Sequence, residues 1–196
     1  DIYLFDEPTA ALDLSTKIKT HRLFMKLHRD HGATIIHVTH DFEEALALGD
    51  RIAVLMGGRI IQIDTPEAVF NNPSTRKAAD FMGYKNVFSG KIENNKIDVR
   101  GNEILTLVQE AKSAYIAIRS SDIFLSKKKI LSSARNSFYG KVFKLIQRGS
   151  HVEVMIDTGV LFHVDITYSS LREMDIKPGT RLWVTFKTSA VKVFEH

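Results

Sequence analysis

The sequence contains no cysteine, only four prolines and a single tryptophan among its 196 residues. Without cysteine the chain has no disulfide framework and no thiolate metal site. No apolar run approaches the roughly 20 residues that span a bilayer, and the opening residues lack the pattern of a signal peptide. We therefore expect any link to a membrane to come through a partner.

Hydrophobic residues make up 44% of the chain and charged residues 26%, the composition of a folded globular protein. The net charge of +4 is unevenly placed: residues 117–150 hold eight cations and one acid, +7, which leaves −3 elsewhere. That segment does not interleave aromatic and basic residues, so a solvated basic face explains it better than nucleic-acid binding. We expect no nucleic-acid partner, while a small anion remains an alternative.

The first half of the chain alternates strand and helix signals. Its patterns predict a buried strand over residues 2–5, a helix over 14–31 ended by Gly32, a second buried strand over 33–40, a helix over 42–48 capped by Asp41, a hairpin over 51–64 turning at Gly57 and Gly58, a helix after Thr65 and another over 74–82. This order is typical of an α/β domain.

From residue 86 onward the chain consists of many short runs that alternate apolar and polar residues, punctuated by glycine. The pattern predicts a small all-β barrel or sandwich. We therefore expect an α/β domain over residues 1–84 and an all-β domain over residues 85–196. The two barrel-like stretches invite comparison as related halves, but the sequence shows no clear internal repeat.

The stretch "LFDEPTAALD", residues 4–13, ends a buried strand in two adjacent carboxylates, Asp6 and Glu7. In open α/β sheets, sites lie beyond the carboxyl ends of the strands. Asp6 could hold Mg²⁺ there, and Glu7 could polarise an attacking water. His40 follows the second buried strand and would reach the same edge if the strands are neighbours. Asp13 has the sequence context of a helix N-cap.

"LFDEPTAALD" resembles the Walker B motif and D-loop of an ABC-transporter ATPase, and "VTHD", residues 38–41, resembles its H-loop. The resemblance to importer ATPases continues through residue 83. It implies that Asp6 organises Mg²⁺, Glu7 is the catalytic carboxylate, and His40 senses the γ-phosphate of ATP. It also implies that Asp13 contacts the opposing subunit in a homodimer that encloses the nucleotide.

The sequence contains no G-x-x-x-x-G-K-[ST] phosphate loop, no LSGGQ-like signature and no Q-loop segment. In the family these motifs precede Walker B, so we expect the chain to be a fragment of a longer ATPase. We also expect the fragment alone to be inactive, because phosphoryl transfer depends on positioning the nucleotide.

Two polar stretches of the second half, "SSARNSFYGKV" and "KTSAV", combine hydroxyl groups with a cation or an amide. Such donors, in a place without carboxylates, suit a tetrahedral oxyanion, although ordinary polar loops have the same composition. The candidate anion-binding residues are Ser133, Arg135, Asn136, Lys187, Thr188 and Ser189.

"SARNSFYGKV" with the later "KTSAV" resembles the molybdate-binding type of TOBE domain, an OB-like regulatory barrel of molybdate and tungstate importer ATPases. The resemblance implies a cytoplasmic ATPase subunit held at the membrane by transmembrane permease subunits, with molybdate or tungstate bound in the barrel. Three alternatives stay open. They are a sugar, polyamine or ferric-iron importer with a structural barrel, a stand-alone oxyanion-binding module, and a nucleic-acid binder that uses the barrel.

Overall fold

The computed structural model describes residues 1–195. The chain folds as two compact units, unit 1 over Asp1–Pro73 and unit 2 from Ser74 onward. Unit 1 combines helices with strands and unit 2 is mostly β, as the sequence predicted. No helix among the described residues is both long and apolar enough to span a membrane.

The division between the units falls at residues 73 and 74 rather than after residue 84. The physical cause is helix α4, Arg76–Phe81, which the sequence assigned to the first domain. Its fully buried Ala79 packs in one apolar cluster with Tyr84 and Ala117 of unit 2. The helix therefore forms part of the β-rich unit.

Unit 1 contains two small sheets and three helices. Its elements, in chain order, are β1 Ile2–Asp6, α1 Leu14–His31, β2 Thr34–Val38, α2 Phe42–Leu48, β3 Ile52–Met56, β4 Arg59–Asp64 and α3 Pro66–Asn71. Strands β1 and β2 pair in parallel, and β3 and β4 form the predicted hairpin. Gly57 and Gly58 take the positive φ angles, 56° and 74°, that such a tight turn requires.

The parallel pair β1–β2 packs one face against helix α1. The ring of Phe5 stacks on Phe24 of that helix, with 4.7 Å between ring centroids. The other face presents exposed apolar side chains in the strict alternation of a strand, at Ile2, Leu4, Ile36 and Val38. Since the strands are parallel, their carboxyl ends meet at one edge.

In its described part, unit 2 begins with α4 and continues with ten strands and one further helix around one main apolar core. Its elements are β5 Asn86–Glu93, β6 Lys96–Val99, β7 Asn102–Leu105, β8 Ala111–Ile118, β9 Phe124–Ser126, β10 Asn136–Arg148, β11 His151–Asp157, β12 Leu161–Ile166, α5 Tyr168–Glu173, β13 Arg181–Phe186 and β14 Lys192–Glu195. They form two five-stranded sheets, ordered β14-β8-β5-β6-β7 and β9-β13-β10-β11-β12. One core cluster contains buried residues of both sheets, such as Ile116 and Phe162.

The two sheets of unit 2 repeat one plan, which the sequence analysis did not detect. Strand β5 begins "NVFSGKI" and β10 begins "NSFYGKV", so Asn, Phe, Gly and Lys recur at matching places. Asn86 pairs with Ile118 at the end of β8, and Asn136 pairs with Phe186 at the end of β13. A single 3-10 turn follows each of these partner strands. The substitutions between the copies hid the repeat from inspection.

The glycine shared by both copies lies where a neighbouring strand approaches closely. A Cβ atom on Gly140 would lie 2.7 Å from the carbonyl oxygen of Asp157 and 2.6 Å from a methyl group of Thr158. On Gly90 it would lie 2.9 Å from the side chain of Ile97. Both positions therefore exclude side chains, which explains why glycine recurs.

Candidate functional site

The carboxyl ends of β1 and β2 bring the predicted catalytic residues of unit 1 together. Asp6 ends β1 with an exposed side chain, and Glu7 follows it. His40 lies beyond the end of β2, and its Nδ1 atom is 3.0 Å from Oε1 of Glu7. Both side chains are exposed, the histidine 72% and the glutamate 46%. A carboxylate and an imidazole in contact at a solvent-facing edge can exchange or orient a proton.

Glu7 has an unusual backbone conformation. Its φ angle is 46°, in the left-handed region that residues other than glycine rarely adopt. Its N–H donates to the carbonyl oxygen of Val38 at 2.9 Å, which extends the pairing of β1 and β2 past the last strand residue. Backbone strain of this kind is concentrated at functional positions.

Asp13 caps helix α1. One carboxylate oxygen accepts from the backbone N–H of Thr16 at 3.1 Å, and the other accepts from the Thr16 hydroxyl at 2.6 Å. These hydrogen bonds hold the pKa of Asp13 below its ordinary value. The N-cap interpretation of Asp13 is thus confirmed.

A buried network that no sequence pattern predicted surrounds Glu44, on helix α2. Glu44 is 3% exposed and accepts hydrogen bonds from the hydroxyl groups of Thr9 and Thr39, the latter at 2.6 Å. His21 of α1 contacts the same carboxylate at 2.7 Å. Thr9 follows the Asp6–Glu7 pair and Thr39 precedes His40, so one carboxylate joins both loops of the candidate site. Only the fold brings these residues together, because they are distant in sequence.

The environment of Glu44 keeps its carboxylate ionised. Burial raises the pKa of Glu44, but the hydrogen bonds from Thr39, Thr9 and His21 outweigh that effect and lower the pKa below its ordinary value. His37 lies at 3.6 Å from the same carboxylate, and burial lowers its pKa. The carboxylate is therefore the fixed negative charge of this network.

In unit 2, five of the six predicted anion-binding residues line one pocket of about 530 Å³. Its lining residues are Asn95, Leu105, Thr106, Leu107, Ser133, Arg135, Lys187, Thr188 and Ser189. None of them is acidic. Neither Arg135 nor Lys187 forms an ion pair within residues 1–195, so both cations are free to receive an anion.

The structure gives the sixth residue, Asn136, a different role. Its side chain is buried and forms two hydrogen bonds with the backbone of Leu105. The amide oxygen accepts from the N–H of Leu105 at 2.7 Å, and the amide nitrogen donates to the carbonyl oxygen of Leu105 at 3.1 Å. Asn136 does not line the pocket. It instead fixes the end of β7, whose following residues form the opposite wall.

That wall contains polar residues that the sequence patterns did not predict. Thr106 donates its hydroxyl to the carbonyl oxygen of Val108, and its N–H donates to the carbonyl oxygen of Asn95 at 2.8 Å. Asn95 takes a positive φ of 61° in the tight turn between β5 and β6. No local signal marks these residues, because strand pairing alone brings them to the pocket.

The basic segment also has aromatic neighbours in the folded chain. Tyr139 and Trp183 lie side by side, with 5.1 Å between ring centroids. Lys129 lies 5.3 Å above the Trp183 ring, and Arg181 lies 5.9 Å from the centre of Tyr139. The rings of this cluster thus pair with cations of the same chain.

Known proteins are similar in sequence to nearly the whole length of this chain. It is 37% identical over 195 residues to a "Molybdate/tungstate import ATP-binding protein WtpC" of Pyrococcus abyssi, which covers 99% of this chain and 57% of the relative. It is 36% identical over 160 residues to a "Spermidine/putrescine import ATP-binding protein PotA" of Borreliella afzelii, which covers 80% of this chain and 45% of the relative. The chain thus spans about half the length of these curated relatives.

Residues 132–193 match the family model described as the TOBE domain. Together with the relatives, this match places the chain among the ATP-binding subunits of ABC importers. More particularly, the chain corresponds to the C-terminal portion of such a subunit and carries a TOBE domain.

Among solved structures, the cytoplasmic molybdate-binding protein ModG in its molybdate-bound form matches 58% of this chain and 98% of its own length. The TM-score is 0.51 and the sequence identity 18%. At that identity the similarity establishes the fold alone. It confirms the predicted OB-like β architecture of the second half.

Proposed function

We propose that this chain is part of the ATP-hydrolysing subunit of a molybdate or tungstate importer, and that the unit 2 pocket binds the transported oxyanion as a regulatory ligand. The observation that carries this proposal is the pocket itself. Arg135 and Lys187 meet there without a carboxylate to neutralise them, beside the hydroxyl groups of Ser133, Thr188 and Ser189. Charged donors and hydroxyls together suit a tetrahedral dianion. The WtpC relatives are named as molybdate/tungstate import proteins, which favours the same ligand class.

In unit 1 we propose the roles that the ABC resemblance implies. Glu7 polarises the attacking water and His40, 3.0 Å away, contacts the terminal phosphate. The nucleotide itself would be held by a phosphate loop supplied by the rest of the subunit.

The residues present are compatible with Mg²⁺ as the partner of ATP. Mg²⁺ in nucleotide sites takes only one or two carboxylates and completes its shell with phosphates and water. Asp6, exposed at the end of β1, supplies one such carboxylate. No cluster of three or more metal-ligating side chains occurs among the described residues, so a metal held by this chain alone is not part of the proposal.

The same proposal assigns the partners and the location of the complete subunit. It would form a homodimer across the nucleotide, with Asp13 near the junction, and would bind transmembrane permease subunits on the cytoplasmic face of the membrane. Asp13 is exposed at the start of α1, so a second subunit has access to it.

Calorimetric titration of this chain with molybdate, tungstate and sulfate tests the oxyanion proposal. We expect heat with molybdate or tungstate, and Arg135→Ala should weaken binding by about 1–3 kcal/mol, roughly 5- to 150-fold, because a charge-assisted contact is lost. Arg172→Ala, on the exposed surface of α5, is the matched control and should bind as the parent does. Absence of heat at millimolar oxyanion would leave a structural barrel as the better account.

The PotA relatives support one competing function, a polyamine importer with a structural barrel. The electrostatics of the pocket oppose polyamine binding at that position, because two unpaired cations repel a cationic ligand. Titration with spermidine under the same conditions separates the two proposals.

A further inference from the structure

The internal repeat of unit 2 creates two comparable positions for an anion. At the first, Arg135 and Lys187 flank the paired residues Asn136 and Phe186. At the second, Lys85 and Arg119 flank the paired residues Asn86 and Ile118 in the same way. A 3-10 turn rich in hydroxyl groups follows the second cation in each copy, over Thr188–Ala190 and Ser120–Asp122.

The two buried asparagines confirm that the positions are equivalent. Asn136 clamps the backbone of Leu105 through both ends of its amide. Asn86 clamps the backbone of His163 in the same manner, accepting from the N–H at 2.7 Å and donating to the carbonyl oxygen at 2.8 Å. Each copy therefore fixes an edge of the other sheet beside its pair of cations.

The positions differ in what the cations contact. Lys85 donates to Glu153 at 2.7 Å, and the same carboxylate receives Arg148 at 3.1 Å and His163 at 2.7 Å. Glu153 is only 2% exposed. Burial raises the pKa of Glu153, but the hydrogen bonds from Lys85, His163 and Arg148 outweigh it and lower the pKa to about 2, so the group is an anion at neutral pH.

The second cation of this position is engaged as well. Arg119 donates to the hydroxyl of Tyr84 at 3.0 Å, and its guanidinium lies 5.1 Å from the centre of that ring. Arg135 and Lys187 have no such partners within the described residues. A carboxylate resembles an oxyanion in presenting negatively charged oxygens to charged donors.

We propose that Glu153 is the built-in anion of the second position, so that an external tetrahedral dianion binds only at the Arg135–Lys187 pocket, once per chain. This inference rests on the proposed oxyanion function of that pocket. The expected stoichiometry is one dianion per chain. The physical reason is that the first anion position is open, whereas the carboxylate of Glu153 occupies the second.

Calorimetric titration of the 196-residue chain with molybdate measures the number of equivalents bound per chain and so tests this inference. We expect about one equivalent of molybdate per chain, and we expect Arg135→Ala to weaken all of the observed binding. Binding of about two equivalents would contradict the role of Glu153, and so would a site in Arg135→Ala that keeps the parental affinity. Either result would leave the proposed oxyanion function intact. No heat from the parent chain would overturn both proposals together.

A second variant tests the role of Glu153 directly. Glu153→Ala removes the internal anion from Lys85, Arg148 and His163, and should add a second binding equivalent. Glu173→Ala, on the exposed surface of α5, is the control and should keep one. A folded Glu153→Ala protein, shown by parental circular dichroism and Trp183 emission, that still binds one equivalent would refute the assignment. If that variant does not fold, the stoichiometry of the parent chain decides alone.

Discussion

Replacing Glu44 by glutamine tests whether one buried carboxylate holds together the two loops of the ATPase site. The change preserves the shape of the side chain but removes its charge. In the parent chain, Thr9, Thr39 and His21 all direct donors at this carboxylate. In the variant these three hydrogen bonds no longer involve a charged acceptor. The amide nitrogen of glutamine is itself a donor, so it cannot accept from the groups that donated to the carboxylate oxygen.

The expected loss follows from the three bonds. A hydrogen bond to a charged group contributes about 1.5–3 kcal/mol and a neutral one about 0.5–1.5 kcal/mol, a difference of about 1 kcal/mol per bond. Three bonds therefore give a destabilisation of unit 1 by about 3 kcal/mol, which corresponds to roughly a hundredfold in an opening equilibrium. Glu44 is 3% exposed, so solvent screens this loss little.

Hydrogen exchange measured by mass spectrometry is the appropriate assay, because the only tryptophan, Trp183, lies in unit 2. Amides of β2 and α2 should exchange up to about a hundredfold faster in Glu44→Gln. Glu43→Gln changes the exposed neighbour on the same helix and should leave exchange unchanged.

The dependence on pH has a definite sign. Folding lowers the pKa of Glu44, so the ionised carboxylate stabilises unit 1 fully above the unfolded pKa of 4.5. This stabilisation is lost as the pH falls through the lower pKa of the folded state. The difference between parent and variant should therefore shrink in acid. If exchange at pH 7 changed by less than a few-fold, the network would be incidental and the reasoning wrong.

Three further predictions concern other parts of the molecule. In the complete subunit, Glu7→Gln should lower ATP hydrolysis about 10²–10⁴-fold while ATP-dependent dimerisation persists, because glutamine cannot act as a base; hydrolysis within a few-fold of the parent would contradict this. Gly140→Ala should destabilise unit 2 by about 1–3 kcal/mol, measured by urea unfolding with Trp183 emission, whereas Gly149→Ala, whose Cβ meets nothing within 4 Å, should cost far less. Between pH 4.5 and about 2, protonation of Glu153 should remove up to about 3 kcal/mol from unit 2, since its folded pKa is the lower one; a stability independent of pH in that window would exclude the ion cluster as a source.

Local sequence rules predicted unit 1 well because its elements carry complete local signals. Helix α1 begins after Asp13 and ends at Gly32, whose φ of 61° supplies the left-handed cap. The apolar runs of β1 and β2 predicted strands, and their parallel pairing then brought Glu7 and His40 to one edge. The predicted meeting of these two residues is confirmed in geometry, while their roles stay predictions.

The buried polar networks could not be predicted in this way. Glu44 has the appearance of an ordinary charged residue near a helix start, and only tertiary packing surrounds it with Thr9, Thr39 and His21. Asn136 shows the converse. A motif resemblance assigned it to an anion, but its burial and its bonds to Leu105 make it a structural clamp. Residue type shows which bonds a side chain is able to form, whereas the fold decides which partner it meets.

The strand order of unit 2 also bears on what counts as a domain here. The TOBE model matches residues 132–193, yet β13 inside that span pairs on its outer side with β9, which lies before it. In return, β14 leaves the second copy and pairs with β8 of the first. Each sheet is thus completed by a strand that follows the other copy, and both share one core. A chain cut between the copies would lose one strand from each sheet. The matched span is therefore half of a structure whose two halves depend on each other. The oxyanion pocket depends on both halves as well, because Leu105 and Thr106 of the first copy line it.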